Sequence, residues 1–570
     1  VRLSTPERVV PHPSHDQSGG RSPTVAMGPG WFRWRGRYRT VVLLAVPVVV
    51  LAAVVLVANA WWAASPAGRA FVAAHPCHLA QADVPTDFPA WLRGLHWFNL
   101  LLLVLLARSG LQILADHPRL YADAHSTPGR EWLRFRGPVP RGRPWTSLDD
   151  SVHLSGAVGL PGGRHTVGQA RSWHFLAAPT WIAIGVAYLV LLVVTGEWRR
   201  LVPTSAALAP SAVSCASSYA RFALPPGEGA PGYNALQQLT YFATVFLAAP
   251  AAVLTGLAQS PALVNRFPRY ERLFGNRQIA RSLHFLLLCY FAVFTVVHVA
   301  VVAITGLRRN LNNMVFGAPG HGWAGPLLAL AILAAVVGLN VAANVTTWRW
   351  PRGLQTAFER TSMRLVRATL GRLRPSASYP ARTVSPYFWA NGLLPDSERY
   401  RRLADNGFRD YRLRVCGAVE RPVELTLEQL RALGTASHVS QHNCIQGWSG
   451  VAAWTGVPMA ALIDRVRPLP QARWAVFYSY GPGLSGGPYY DAHPLDQLCA
   501  PHCLLAWAMN GEPLPLEHGA PLRLRNENEL GYKQVKWIER IEFVTDYHAV
   551  GAGHGGYNED HKFYGVTAAI

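Results

Sequence analysis

Six long apolar runs, almost free of charge at their centres, mark the first 350 residues: 41–63, 95–114, 175–195, 239–257, 283–305 and 323–345. Each is long enough to cross a bilayer as a helix. Beyond them the pattern changes. Residues 351–374 interleave Leu354, Phe358, Leu365 and Leu373 with Arg360, Arg364, Arg367 and Arg372. That spacing predicts a basic amphipathic helix lying on the membrane surface. Pro375, Ser376 and Pro380 then read as a short linker. From there the apolar periods are short. Residues 423–430 and 459–463 predict short helices, and 473–478 and 537–544 predict strands. The alternation through Tyr411-Arg412-Leu413-Arg414-Val415-Cys416 predicts another strand, with Cys416 in the core. The fold class that follows is an α-helical transmembrane bundle of about six spans and then a mixed α+β domain. The divisions fall at 1–40 (a basic tail rich in Pro, Ser and Gly, expected to be disordered), 41–350, 351–380 and 381–570.

The first run has two readings. Arg33, Arg35, Arg37 and Arg39 precede it and Ala58-Asn59-Ala60 follows, as in a cleavable signal peptide. Its apolar stretch is longer than a signal core, which favours a retained span. Half of the chain's residues are hydrophobic and 15% are charged, which suits a part-membrane, part-soluble chain. The net charge of +21 reads as a topology and lipid signal. No nucleic-acid-binding motif accompanies the arginines, so nucleic acid is not expected as a partner.

Those arginines are unevenly placed. Seven precede the first run, eight lie in 115–173, and Arg266, Arg269, Arg272 and Arg277 follow the fourth run. The alternate loops hold only Arg69 and Arg93, then Arg199, Arg200 and Arg221, then Arg308 and Arg309. The bias predicts both termini, and the C-terminal domain with them, in the cytoplasm. On that model Cys77 and Cys215 both lie in outer loops, where a disulfide is chemically allowed. Cys289 reads as packing within a span. Cys499 and Cys503 flank Pro501 and His502, but no second ligand pair accompanies them, so packing is preferred there too.

Four histidines sit in or at the ends of the apolar runs: His96, His174, His284 and His298. Ionisable residues in spans are functional candidates by default. His284 and His298 are fourteen residues apart in one run. That is close to four helical turns, so both share a face about 21 Å apart along the axis. Because spans alternate direction, His96 matches His298 in depth, and His174 matches His284. Neutral imidazole is a good iron ligand; the plainer role is capping of helix ends at the interface. The region from about 91 to 307, with Asn234-Ala235-Leu236-Gln237-Gln238-Leu239-Thr240-Tyr241 and Thr255-Gly256, resembles the di-haem cytochrome b subunits of formate dehydrogenase and nickel-iron hydrogenase. The resemblance implies two b haems, held by these four histidines, and exchange of electrons with quinone or quinol in the lipid bilayer.

The C-terminal half carries three separated motifs. Ser440-Gln441-His442-Asn443-Cys444-Ile445-Gln446-Gly447-Trp448 places a soft thiolate among glycine and tryptophan. Glu517-His518-Gly519-Ala520-Pro521-Leu522-Arg523-Leu524-Arg525 and Gly531-Tyr532-Lys533-Gln534-Val535-Lys536 follow. In this order, from about 385 to 546, they resemble the sulfite oxidase-type oxidoreductase molybdopterin-binding domain. The resemblance implies that Cys444 binds the molybdenum of one molybdopterin and is the catalytic ligand. It implies cofactor contacts from Asn391, His442, Asn443, Arg523, Arg525, Gly531, Tyr532, Lys533 and Lys536, with the two lysines on the cofactor phosphate. Sulfite-oxidising members have arginines soon after the molybdenum cysteine; Ile445, Gln446, Gly447 and Trp448 stand here instead. That departure favours reduction of a small oxide such as a sulfoxide. A sulfite-type dehydrogenase, a non-catalytic membrane electron carrier and a transporter with a regulatory domain are the alternatives. Soluble relatives of such a domain commonly work outside the cytoplasm, which pulls against the charge count.

Overall fold

The computed structural model describes residues 33–34, 37–78, 88–140, 145–225, 233–371, 373 and 379–564. The expected tail at 1–40 lies outside them except for the paired Arg33–Trp34 and Arg37–Tyr38 and the start of the first helix, and Arg141, Arg143, Arg372, Pro375 and Ser376 lie outside them too. The chain divides into two units, Val1–Ala52 and Ala53–Ile570. Helix α1 (Arg39–Ala64) begins in the first. All other spans and the C-terminal half belong to the second.

Five described helices are long and apolar enough to cross a membrane: α2 (Ala90–Asp116), α3 (Val167–Thr195), α4 (Ala235–Leu257), α5 (Arg277–Ile304) and α6 (Ala324–Arg349). The end of α1 with Pro66–Ala74, bent by 83° between them, makes a sixth span if the pair counts as one. The starts are set by local chemistry. Asn276 caps α5, accepting from the Gln278 and Ile279 amides at 2.9 and 3.0 Å. Asn234 and Gln237 form a reciprocal capping box at the start of α4. Within α4 the turn Ala243–Ala248 widens to π geometry, just before Pro250, whose missing N–H interrupts the helical ladder. Cys77 and Cys215 form a disulfide at the ends of α3 and α4 remote from the C-terminal half. Cys289 faces outward from α5 instead of packing within the bundle.

The segment after α6 is helical over Pro351–Phe358 and Arg364–Leu370, with a π turn at Glu359–Met363 between them. It does more than lie on a surface. Ser362 donates to the Phe175 carbonyl at 2.5 Å, and Gln355 to the Lys562 carbonyl at 3.2 Å. It is wedged between α3 and the C-terminal tail.

The C-terminal half is two sheets. One runs Pro488–Pro494, Trp474–Pro482, Ile538–Val544, Leu413–Gly417, Val423–Leu425, with Ile538–Val544 and Leu413–Gly417 parallel. The other runs Glu512–Pro513, Cys503–Met509, Ser449–Pro458, Ala436–Asn443, with Arg523–Asn526 also paired to Cys503–Met509. Side chains alternate across the second sheet. Val457, Leu505 and Leu524 meet Leu413, Val415, Phe477 and Ile541 of the first sheet. Trp454, Ala452, Leu504 and Ala506 face the opposite way, into the core that contains Cys444. Two expectations are corrected in detail. Residues 423–430 are a strand, Val423–Leu425, before the helix Leu427–Ala432. The β-branched valine at 423 pairs across the sheet, and Thr426 caps the helix. Cys416 is half-buried, because its neighbours Leu413 and Val415 take the core positions.

Candidate functional site

Cys444 opens a five-residue hairpin loop between Ala436–Asn443 and Ser449–Pro458. Its amide donates to the Trp448 carbonyl at 3.1 Å, and the Gly447 amide to the Cys444 carbonyl at 3.0 Å. Gly447 takes φ +98°, a conformation open chiefly to glycine. Cys444 is buried and receives a hydrogen bond from the Asn391 amide to Sγ at 3.3 Å. Burial pushes its thiol up to about 12. A free thiol there stays protonated; a bound metal removes that proton.

Beside it lies a narrow cleft of about 30 Å³. Phe388, Trp389 and Trp448 form its apolar walls, and Asn391, His442, His518, Arg523, Gln534 and Lys536 supply polar groups. Gly531 lies so close to His442 that a Cβ would stand 2.2 Å from its Nε2. Arg525 donates from Nη1 to His442 Nδ1 at 3.0 Å, which leaves the proton of the neutral ring on Nε2. Burial, with Arg525 and Arg523, holds that ring neutral. Burial and the Arg523 cation also pull the Lys536 ammonium well below its usual range. Arg523 Nε, Asn443 Nδ2 and Gln534 Oε1 are buried without partners. Crowded cations and unmet polar atoms around a cleft are what an anionic, hydrogen-bonding ligand relieves. That donor set is of the kind a phosphate-bearing cofactor such as molybdopterin would need.

Of the residues expected at this cofactor, Asn391, His442, Arg523, Gly531 and Lys536 line the cavity. Arg525 supports His442 from behind, stacks 4.3 Å over Trp454 and pairs with Glu527. Tyr532 turns to another side, its ring 4.4 Å from Tyr564. Lys533 is the clear departure. Its ammonium is buried against Asp491 and Glu559, 3.0 Å from the latter, and it is not among the cavity lining. Neighbours along a tight turn point to different sides, so the motif's two lysines part. Trp448 was read from the sequence as an apolar wall; Phe388, Trp389, His518 and Gln534 were not singled out as lining. His518 and Gln534 stand within the quoted motifs, whereas Phe388 and Trp389 stand outside them.

The membrane histidines meet in two pairs. His96 and His298 have ring centres 6.2 Å apart, and His174 and His284 6.3 Å apart. Ser109 lies 3.0 Å from His174 Nδ1, and Thr255 3.0 Å from His284 Nδ1. Each hydroxyl donates onward to a helix carbonyl at 2.7 Å, so each accepts from Nδ1–H and leaves Nε2 free for a metal. Tyr241 lies 3.4 Å from His298 Nδ1. Gly110 and Gly256 stand beside the inner rings, where a Cβ would lie 3.6 and 3.4 Å away, and so keep space open there.

The two halves of the chain meet at the Cys444 loop. Gln278, on the first turn of α5, donates to the Gly447 carbonyl at 3.1 Å and to Ser449 Oγ at 2.9 Å. Arg277 reaches the same carbonyl at 3.3 Å. Arg281 packs so that a Cβ on Gly447 would lie 3.1 Å from its Nε. The loop between α2 and α3 grips the other side. Trp389 Nε1 donates to the Ser126 carbonyl at 2.7 Å, the Ser147 amide to the Ala390 carbonyl at 3.1 Å, and Ser147 Oγ bonds Asn391. Within this loop Arg119 is buried in a cluster with Asp150 and Glu131, which ties its described strands together. Several arginines counted as topology signals therefore face protein. Arg119 and Arg134 sit with Glu131, and Arg277 is buried beside the Cys444 loop.

Residues 402–550 match the family model described as an oxidoreductase molybdopterin binding domain, and residues 87–317 the one described as prokaryotic cytochrome b561. The chain joins these two families. With its apolar helices, the cytochrome b561 match makes it a multi-pass membrane protein. Together the two families imply a molybdopterin and haem b. Among curated relatives, the protein-methionine-sulfoxide reductase catalytic subunit MsrP of Xanthomonas campestris is 33% identical over 142 residues, covering 23% of this chain and 44% of that protein. The protein of the same name from Gluconobacter oxydans is 37% identical over 144 residues, covering 23% and 46%. The putative protein-methionine-sulfoxide reductase subunit YedZ1 of Azospira oryzae is 29% identical over 185 residues, covering 32% and 64%. The chain spans about half the length of the curated relatives it matches.

Proposed function

We propose that this chain is a membrane-bound molybdenum oxidoreductase that draws electrons from quinol, passes them through two b haems and reduces a small oxide, a sulfoxide, beside Cys444. One observation carries the reading. The Cys444 loop docks on the first turns of the helix that bears His284, with Arg281 against Gly447. His284 is one turn further along, about 4.5 Å by rise. No separate electron carrier is needed between the two centres. The histidine spacing supports haem at both pairs. Two metal–imidazole bonds of about 2 Å each, with the ring radii, give ring centres about 6 Å apart. His96 with His298 and His174 with His284 are the proposed ligand pairs. The functional divisions proposed are 41–350 for electron transfer, 351–380 for the connection and 381–570 for catalysis.

When bound, the molybdopterin supplies oxygen-atom transfer and the haems carry single electrons. The chain does the rest. Cys444 holds the metal and Asn391 steadies its sulfur. Lys536 and Arg523 anchor the phosphate, and His442 presents Nε2–H under the control of Arg525. Phe388, Trp389 and Trp448 keep bulk water from the cleft. The sulfoxide takes up two electrons and two protons and leaves as sulfide and water; quinol gives two electrons and two protons and becomes quinone. Sulfoxide is preferred to sulfite because no arginine follows Cys444 in its own loop, and because the relatives named above carry the names of methionine-sulfoxide reductase subunits. The catalytic half is proposed to face the cytoplasm. The disulfide Cys77–Cys215 lies at the opposite end of the bundle, and disulfides persist on the oxidising side.

Metal analysis of the purified full chain, with quinol-dependent sulfoxide reduction, tests the reading. One molybdenum and two irons per chain are expected. Cys444→Ala should abolish turnover and leave the haem spectrum intact. Turnover retained by that variant, or a chain without molybdenum, refutes the catalytic role.

A further inference from the structure

Three arginines crowd the junction of the two halves without an anion to balance them. Arg277 and Arg281 are 5% and 7% exposed, and Arg171 is half-buried. Arg171 and Arg277 lie close enough to repel one another. Among the described residues none of the three forms an ion pair with a carboxylate. The acids nearby are committed elsewhere. Glu271 accepts the backbone N–H of Arg277 at 2.9 Å, Asp150 pairs with Arg119, and Asp116 lies 3.7 Å from His165. Arg281 donates only to the carbonyls of Arg119 and His117, at 2.9 and 2.8 Å. Arg171 makes no hydrogen bond among the described residues; its guanidinium lies 5.0 Å from the Phe175 ring centre. Buried like charges without a counterion are strongly unfavourable, so a ligand with at least two negative charges belongs here.

Their spacing says which one. Arg171 precedes His174 by three residues, and Arg281 precedes His284 by three. Residues three apart share a helix face. Both arginines stand about 4.5 Å nearer the start of their helix than the histidine they precede. Both helices start on the side where the catalytic half docks. The arginines therefore lie between the inner histidine pair and the membrane surface. A haem held by that pair carries two propionates on one edge, and carboxylates avoid the apolar interior. That edge turns to the surface, toward the three cations.

We propose that Arg171 bonds a propionate of the haem between His174 and His284 directly, while Arg277 and Arg281, whose N–H groups are taken by carbonyls, add positive charge beside it. Arg277 and Arg281 at the same time hold the Gly447 end of the Cys444 loop. The same side chains thus fix the haem and seat the molybdenum ligand. The spacing recurs at Arg93 and His96. There the guanidinium is already taken by the carbonyls of Phe88, at 3.0 Å, and Val315, so the recurrence assigns nothing at that pair.

The proposal rests on haem at the inner pair, and its test separates the two. Arg171→Met in the full-length holoprotein, with a redox titration of the haem bands, is the decisive experiment. Losing a cation beside the propionates disfavours the added electron. At fixed ambient potential the ferrous-to-ferric ratio of one haem should fall about tenfold, about 59 mV for one electron. The other haem should not move, and Arg171→Lys should restore most of the shift. Unchanged potentials in both Arg171→Met and Arg277→Met overturn the proposal. So does a molybdenum(V) resonance signal that changes while both haem potentials stay fixed, since the arginines would then serve the molybdenum site. If Arg171→Met loses the haem, Arg171→Lys decides: recovery of haem and potential supports the charge role, and continued loss overturns it. Two haems retained in His174→Ala would instead sink the haem assignment itself.

Discussion

Replacing Lys533 by Met should destabilise the catalytic half without emptying its cofactor cleft. The ammonium lies 3.0 Å from Glu559 and in contact with Asp491, with side-chain exposures of 4%, 1% and 0%. Burial raises both carboxyls above their usual range, and the lysine charge opposes that rise. Methionine fills similar space but leaves two acids facing one another. Removing one partner of a buried ion pair costs about 3–5 kcal/mol. At about 2–4 °C per kcal/mol for a domain of this size, the unfolding midpoint should fall by about 6–20 °C. The loss should shrink as the pH falls. Raised acids penalise the fold only above their unfolded range, and protonation removes the repulsion. The assay is a thermal melt of the full chain in detergent, followed by tryptophan emission, with molybdenum content measured in parallel. Lys536→Met is the counterpart, expected to keep its midpoint and lose molybdopterin. If Lys533→Met melts within 2 °C of the parent, by an about-2 °C reading error on the same scale, and loses molybdenum, Lys533 is a phosphate ligand and the reasoning fails.

Other perturbations address the junction, the pH response and the sidedness. Gly447→Ala forces a side chain onto φ +98° and against Arg281. It should cost about 1–2 kcal/mol and raise hydrogen exchange along the Cys444 loop; unchanged exchange would contradict the close fit. Although burial opposes ionisation, Arg525 and His438 hold the Glu527 carboxyl at about 2, below its ordinary 4.5. Its contribution is therefore present above 4.5 and lost as the pH falls through about 2. Glu527→Gln should be less stable than the parent at pH 7 and converge with it at the acid end; parallel curves would remove the pair from the stability account. Cys77→Ser opens a loop of 138 residues, worth at most about 5 kcal/mol in the chain-entropy limit. In the parent, a membrane-impermeant reductant applied to intact cells should cleave the disulfide. Resistance on cells with cleavage in inverted vesicles would place the catalytic half outside.

The apolar runs determined the spans, because crossing a bilayer demands about twenty uncharged residues in a row and little else produces them. Alternation of direction between spans was enough to pair His96 with His298 and His174 with His284 in depth, and the two pairs do meet. The three C-terminal motifs announced the family of that half. What one dimension could not hold was direction and company. Lys533 and Lys536 are three residues apart, yet a short turn sends one into an ion cluster with Asp491 and Glu559 and the other into the cleft. The arginines read as a charge bias in loops include Arg277, which the fold brings 170 residues across the sequence to Gly447. From its own segment Cys444 was legible only as a candidate ligand, and the downstream motifs supplied the context. That its loop would rest on the helix carrying His284 depended on contacts between distant segments, and only the tertiary structure decides those, because burial and charge balance are properties of neighbours in space.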